Sequence, residues 1–201
     1  NYESNILIRS DAASKALWQH FDVVSSKPWV DHTTDVIIED GNTTVLTDRA
    51  FVDEAIKTID GAQYHLRIMS YLFAVKPDRP WSSVQKLVSA LARAARRGVR
   101  VEILLEKSDH SFFVNQQAKK SSKYLRSRGI ASVKFDKPET ITHGKLIIAD
   151  DERVIVGSTN WFQRGLTATH QVNVATSCPR AISTFTDYFD ELYSMAVIPK
   201  G

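Results

Sequence analysis

Strands that alternate with helices along most of the 201 residues predict an α/β layer fold, with helices flanking a central sheet. Three observations carry this expectation. Short, β-branched apolar runs at 99–105, 145–149 and 154–157 have the length of buried strands. Amphipathic runs at 82–97 and 179–195 have the length of helices, the first ended by Gly98 and the second opened by Pro179. The composition is that of a globular chain, with 43% hydrophobic and 24% charged residues, 8 Gly and 6 Pro, which excludes a disordered tail, a collagen-like rod and a coiled coil.

Taken in order, residues 4–8 read as a strand, and 11–21 as a helix with Ala12, Ala16 and Phe21 near one face. Residues 22–34 lack any period and read as a linker. Two apolar runs, 36–39 and 44–47, are joined by Gly41-Asn42, a hairpin signal. Asp48 is a candidate cap for a helix over 50–59, whose apolar positions are 51, 52, 55, 56 and 59. Strands follow at 64–73 and 99–105 around the 82–97 helix, then a basic helix at 115–128 stopped by Gly129. Strands at 132–135, 145–149, 154–157 and 172–175 lead to the last helix, 179–195.

A single cysteine, Cys178, excludes an internal disulfide and any multi-cysteine metal cage, and is compatible with the cytoplasm. No apolar run reaches the length of a membrane span, and no segment has the basic, apolar, small-residue order of a signal peptide. A cytoplasmic or membrane-peripheral location is therefore favoured over a disulfide-rich extracellular one. The net charge of +3 is unevenly spread. Residues 1–60 hold five Lys/Arg and eleven Asp/Glu, whereas residues 86–128 hold eleven Lys/Arg and three Asp/Glu. The basic segment suits phosphate in lipid, nucleotide or nucleic acid, or simply a solvated helix face.

The two ends of the chain resemble each other. Setting Asn5 on Asn173, an offset of 168, also sets Ala13 on Ala181, Phe21 on Phe189 and Asp22 on Asp190 without a gap. Nothing between them repeats. The expectation is a remnant of a preceding, related half at 1–22, a linker at 23–34 and a complete half-domain at 35–198.

The chemistry concentrates in His143-Gly-Lys145, Asp150, and then Gly157-Ser158-Thr159-Asn160. On a strand, residues two apart share a face, so His143 and Lys145 point together, and Ser158 and Asn160 share one again. Gly157 permits a tight bend. An imidazole, a cation, a hydroxyl and an amide then converge as a phosphodiester requires: a nucleophile or proton donor, and fixed donors for the oxygens.

His-x-Lys-x4-Asp-x6-Gly-Ser-x-Asn resembles the signature of the phospholipase D superfamily, and His143, Lys145, Asp150, Gly157, Ser158 and Asn160 match it without a gap. The resemblance covers about residues 35–195 and is to the second half of a two-motif member. It implies a phospholipase D-like central mixed β-sheet with helices on both faces. It also implies phosphodiester exchange without metal or other cofactor, through a phosphohistidine. One histidine attacks phosphorus and a second protonates the leaving alkoxide. Lys145 and Asn160 hold the non-bridging oxygens, Ser158 belongs with them to the catalytic set, and Asp150 anchors the loop after its strand. The second histidine must come from the N-terminal half of the same protein or from another copy of this chain.

In the family a carboxylate just before the late strand often supports the histidine. The 168 offset gives Glu3 in the remnant but Gln171 here, which can orient His143 without neutralising an imidazolium. On that reading His143 is the leaving-group acid and the missing histidine the nucleophile. His170 is either a solvated loop histidine or a site residue. His20, His32, His65 and His110 show no ligand spacing, so no metal role is expected of them. Tyr71, Phe73 and Trp81, with Trp161 and Phe162, line a pocket, meet lipid or fill the core. Lys119, Lys120, Lys123, Arg126 and Arg128 contact a polyanion or form a soluble helix face. Three functions stay open: a phospholipase or transphosphatidylase acting on phospholipid head groups, a nuclease, and a silent scaffold.

Overall fold

The alternation read from the sequence folds, in a computed structural model describing residues 3–26, 35–107, 111–137, 139 and 141–198, into one eight-stranded sheet with helices on both faces. The elements are α1 (Asp11–Ser26), β1 (Ile37–Asp40), β2 (Thr43–Thr47), α2 (Ala50–Gly61), β3 (His65–Ser70), α3 (Ser83–Arg96) and β4 (Arg100–Leu105). They continue as α4 (Phe112–Ser127), β5 (Ser132–Phe135), β6 (Lys145–Ala149), β7 (Arg153–Gly157), α5 (Gln163–Thr167), β8 (Val172–Thr176) and α6 (Pro179–Met195). The strand order is β1-β2-β8-β7-β6-β3-β4-β5. Only β3, β4 and β5 run parallel to each other; every other neighbouring pair is antiparallel, so the sheet is mixed.

Each face buries its own core. On one, Leu66, Ile68, Ile103, Ile147 and Ile155 pack under α2, α3 and α4. On the other, Met69, Leu104, Leu146, Ile148 and Val156 pack under Phe185 and Phe189 of α6. Successive residues of β6 therefore alternate between two apolar layers, and this is why the strand reads as a continuous apolar run.

Several expectations need correction. Residues 4–8 form no strand, because the segment crosses a face of the sheet: Ile6 packs among the residues under α6 and against Val45 and Val174. A face offers no open row of backbone donors and acceptors, as an edge would. Helix α1 buries Ala13 and His20, with Ala16 and Leu17 half-buried, while Ala12 and Phe21 face outward. The stripe is thus shifted by one residue from the expected face. α1 also runs through the first residues of the expected 23–34 linker to Ser26; residues 27–34 lie outside the described residues. Asp48 does not cap α2, whose N-cap is Arg49, with no side-chain capping bond; the Asp48 carboxylate is taken by His170 and Gln171. The expected strand 64–73 stops at Ser70, since Phe73 leaves β3 to bridge Trp161.

Candidate functional site

The register of the sheet brings two strand ends together. Ser70 at the end of β3 pairs with Lys145 at the start of β6, and Gly157 at the end of β7 pairs with Asn173 near the start of β8. The same end of the sheet holds the carboxyl ends of parallel β3 and β4, where ligands of open α/β sheets gather. A cavity of about 390 Å³ opens there, lined by Glu3, His143, Lys145, Gly157, Ser158 and Asn160.

Backbone anchors set His143 at the mouth of this cavity. The N–H of the preceding Thr142 donates to Glu106 Oε2 at 2.6 Å and to Asp136 Oδ2 at 3.2 Å, and both carboxylates are buried. Asp136 Oδ1 accepts from the Lys107 N–H at 2.6 Å, which ties the end of β4 to the same clamp. Sequence reasoning missed Glu106 and Asp136; they lie 36 and 6 residues from Thr142, and no local pattern links them. Gly144 fits because a Cβ there would stand 2.5 Å from Met69 Sδ and 3.2 Å from Ser4 Oγ.

The His143 Nδ1 lies 3.2 Å from Glu3 Oε2, and its ring meets Tyr71 edge-on, with centroids 4.6 Å apart. Lys145 is 7% exposed, bonds the His143 carbonyl through Nζ and sits 5.3 Å above the Tyr71 ring. Burial pushes its ammonium down to about 8, against the opposing pull of Glu3. Lysine and histidine therefore share one carboxylate and one aromatic ring.

The second arm comes from the β7–β8 connection. Ser158 Oγ donates to Gln171 Oε1 at 2.6 Å and accepts from the Val172 N–H at 3.1 Å. The Asn160 Oδ1 is buried beside the cavity without a hydrogen-bond partner among the described residues. Asn173 pins the turn between them, its amide donating to Thr159 Oγ1 at 2.9 Å. Gly157 serves this closeness rather than a bend, because a Cβ would meet Val172 O at 2.5 Å and Asn173 Cα at 2.6 Å.

The expectation that Gln171 orients His143 is corrected by these contacts. Gln171 reaches Ser158 and Thr169, and the carboxylate on His143 is Glu3, 140 residues away. Asp150 stands at the other end of β6, with φ of 53°. It accepts the backbone N–H groups of Gln63, Tyr64 and His65 at 2.7–2.8 Å. Burial alone would raise its carboxyl, but those three donors and the nearby His65 outweigh it, and the group is held below the usual range. Phe73 and Trp161 pack on each other at 5.0 Å and are 2% exposed, so they belong to the core and not to the cavity wall. Trp81 is exposed, as is the row Lys119, Lys120, Lys123, Arg126 and Arg128 on α4 and its end. His170 is half-buried against Asp48 rather than solvated, and His65 bonds Glu102 at 2.7 Å. His32 and His110 lie outside the described residues.

Known proteins are similar to this chain in sequence and in fold. A family model described as cardiolipin synthase, PLD-like domain, matches residues 55–193. The mitochondrial cardiolipin hydrolase of Chlamydomonas reinhardtii is 32% identical over 99 residues, 49% of this chain and 42% of that protein. A phospholipase D of Rickettsia conorii is 39% identical over 75 residues, 37% of this chain and 34% of that protein. The chain therefore matches well under half the length of these relatives. Among solved structures, Nuc from Salmonella typhimurium, a phospholipase D family member, superposes with a TM-score of 0.64 at 21% identity, over 79% of this chain and 99% of that one. A phosphatidylserine synthase from Haemophilus influenzae gives a TM-score of 0.60 at 13% identity, over 80% of this chain and 41% of that one. With the family model spanning more than two thirds of its length, and the same mixed sheet recurring in the solved structures, the chain belongs to the phospholipase D superfamily.

Proposed function

We propose that this chain is one half of a metal-independent phosphodiesterase that hydrolyses or transfers phospholipid head-group diesters, with His143 as its nucleophile. The observation that carries the reading is the Glu3–His143 contact at 3.2 Å, facing the cavity that Lys145, Ser158 and Asn160 also line. A carboxylate accepting from Nδ1–H leaves the Nε2 lone pair free for attack and stabilises the charge that develops on the ring. Nε2 bonds to phosphorus while the bond from phosphorus to the leaving oxygen breaks, and a second histidine gives that oxygen its proton. That histidine then takes a proton from water or an alcohol, whose oxygen displaces His143. Lys145 and Asn160 hold the non-bridging oxygens, the lysine supplying charge and the Asn160 amide its N–H donors.

The 168-residue offset that equates Glu3 with Gln171 supports the division of labour. A pseudo-twofold arrangement sets Gln171 toward the second histidine, which then lacks a carboxylate and suits the acid role. The lipid preference follows the curated relatives, a cardiolipin hydrolase and a phospholipase D. The basic run at 86–128 favours nucleic acid as a second reading.

The test uses the full-length protein, a chromogenic phosphodiester and a chelator. Enzyme denatured in alkali, where the phosphorus–nitrogen bond survives, should carry the monoester phosphoryl group on His143, and His143→Asn should lower turnover by at least about 10³-fold. Undiminished turnover in that variant would leave only a scaffold role. Phosphate found on the other histidine would reverse the assignment of nucleophile and acid.

A further inference from the structure

A second cluster of titratable side chains lies behind the candidate site, and phosphodiester chemistry makes no use of it. His20 on α1, Asp48 in the turn before α2 and His170 in the loop before β8 each bring a ligand-type atom to within 4.8 Å of the other two. Their separation in sequence hides them from any spacing rule. The cluster is interior: His20 is 8% exposed, and the Asp48 side chain is fully buried. Two of its nitrogens, His20 Nδ1 and His170 Nε2, are buried without a hydrogen-bond partner among the described residues. Burying such a group unpaired is costly, so these two nitrogens call for a ligand.

The chemistry of the set is specific. Two imidazoles and a carboxylate form a common ligand set for zinc, with a water completing the tetrahedron. The geometry is prepared. Asp48 Oδ2 lies 3.0 Å from His170 Nδ1, and Asp48 Oδ1 accepts the Gln171 N–H at 2.8 Å. The two rings stand edge-to-face, with centroids 5.9 Å apart.

We infer that His20, Asp48 and His170 form a structural site for a divalent transition metal, zinc by preference, that staples helix α1 to the sheet. Metal–ligand bonds of about 2.0–2.2 Å set ligand atoms roughly 3.3 Å apart, so the ion draws the three groups together through small side-chain rotations. The staple also reaches the candidate site. Gln171, next to His170, holds Ser158, and α1 follows directly on the segment that carries Glu3. Metal binding thus fixes both the Glu3 segment and the Ser158 turn. The inference stands on these three residues alone and does not depend on the phosphodiesterase reading.

The test is a titration of the metal-stripped chain with zinc ion alone, followed by calorimetry and by thermal unfolding, and repeated with cobalt(II) for its visible spectrum. The expected result is one zinc per chain, a higher unfolding temperature with zinc, and the intense visible band of tetrahedral cobalt. His20→Gln and His170→Gln should each weaken zinc at least about 100-fold, since loss of a mere outer partner already costs about 10–100-fold. His143→Asn should leave the affinity unchanged. Absence of stoichiometric zinc and of the cobalt band in the wild-type chain would overturn the proposal whether or not the variants fold. So would binding that survives both glutamine variants, or that is lost in His143→Asn.

Discussion

Glu3 serves two side chains at once. It contacts His143 at 3.2 Å and raises the proton affinity of Lys145 against the burial that lowers it. Replacing it with Gln keeps the shape and removes the charge, so kcat for the phosphodiester should fall between about 10²- and 10⁴-fold, the range in which orienting carboxylates and positioned acids act. The same change should move the alkaline limit of activity to lower pH, because Lys145 loses a charge that supports its ammonium. In the unaltered protein that limit falls at about pH 8, where the buried ammonium gives up its proton. A pH profile of kcat/KM on both proteins checks the pair of statements. Stability moves the other way. From about 8 up to the ordinary lysine value of 10.5 the unfolded chain holds a proton that the folded chain does not, so stability rises with pH across that window. It follows that Lys145→Met should abolish turnover yet stabilise the fold by about 1–3 kcal/mol near neutrality, read from denaturant melts.

Strand β6 shows how one element divides its labour, with His143 entering at one end and Asp150 leaving at the other. Asp150 has no part in the cavity. It accepts three backbone N–H groups at the start of β3, in a left-handed conformation that Asp tolerates and Ala does not. Asp150→Ala should therefore destabilise the fold by about 2–4 kcal/mol while leaving the KM of the surviving enzyme unchanged. Because its carboxyl is held below 3.8, its contribution is complete above that pH and is lost as the solution is acidified through the lowered value. The stability gap between wild type and variant, read from denaturant melts, should accordingly narrow as the pH is lowered. The bounds of β5, β6 and α6 were legible in the sequence, because each rests on local pattern, whereas the anchoring role of Asp150 came from the resemblance, its partners lying 85–87 residues away. The strand expected at 4–8 was not legible, since whether an apolar segment joins an edge or crosses a face depends on the partner surface. The shifted stripe of α1 has the same cause: Ala13 and Leu17 face Val45 and Val174, residues far away in sequence.

Across the whole molecule, the motif told which residues converge, and the fold told what holds them. His143, Lys145, Ser158 and Asn160 could be read from spacing because adjacent antiparallel strands keep β6 and β7 in one neighbourhood. Glu106 and Asp136 could not, for each is joined to the site only by tertiary packing; Glu3 was found through the 168 offset, but not as the partner of His143. Charge is the other property of this scale. The basic row on α4 is solvent-exposed, and it lies on the element packed over β5, at the sheet edge, whereas the cavity sits at the ends of β6, β7 and β8. A patch set apart in this way gives long-range attraction but no contact with the diester being cut. Lys119→Gln combined with Lys120→Gln and Lys123→Gln should therefore leave hydrolysis of a micellar, short-chain phospholipid within about twofold of wild type, and raising the salt should change that rate little. A nucleic-acid substrate behaves differently. Its affinity falls with salt by a slope of about −0.7 per phosphate contact on single strands, and removing three cations would flatten that slope. Steep salt dependence of turnover, relieved by the triple variant, would transfer the assignment from lipid to nucleic acid.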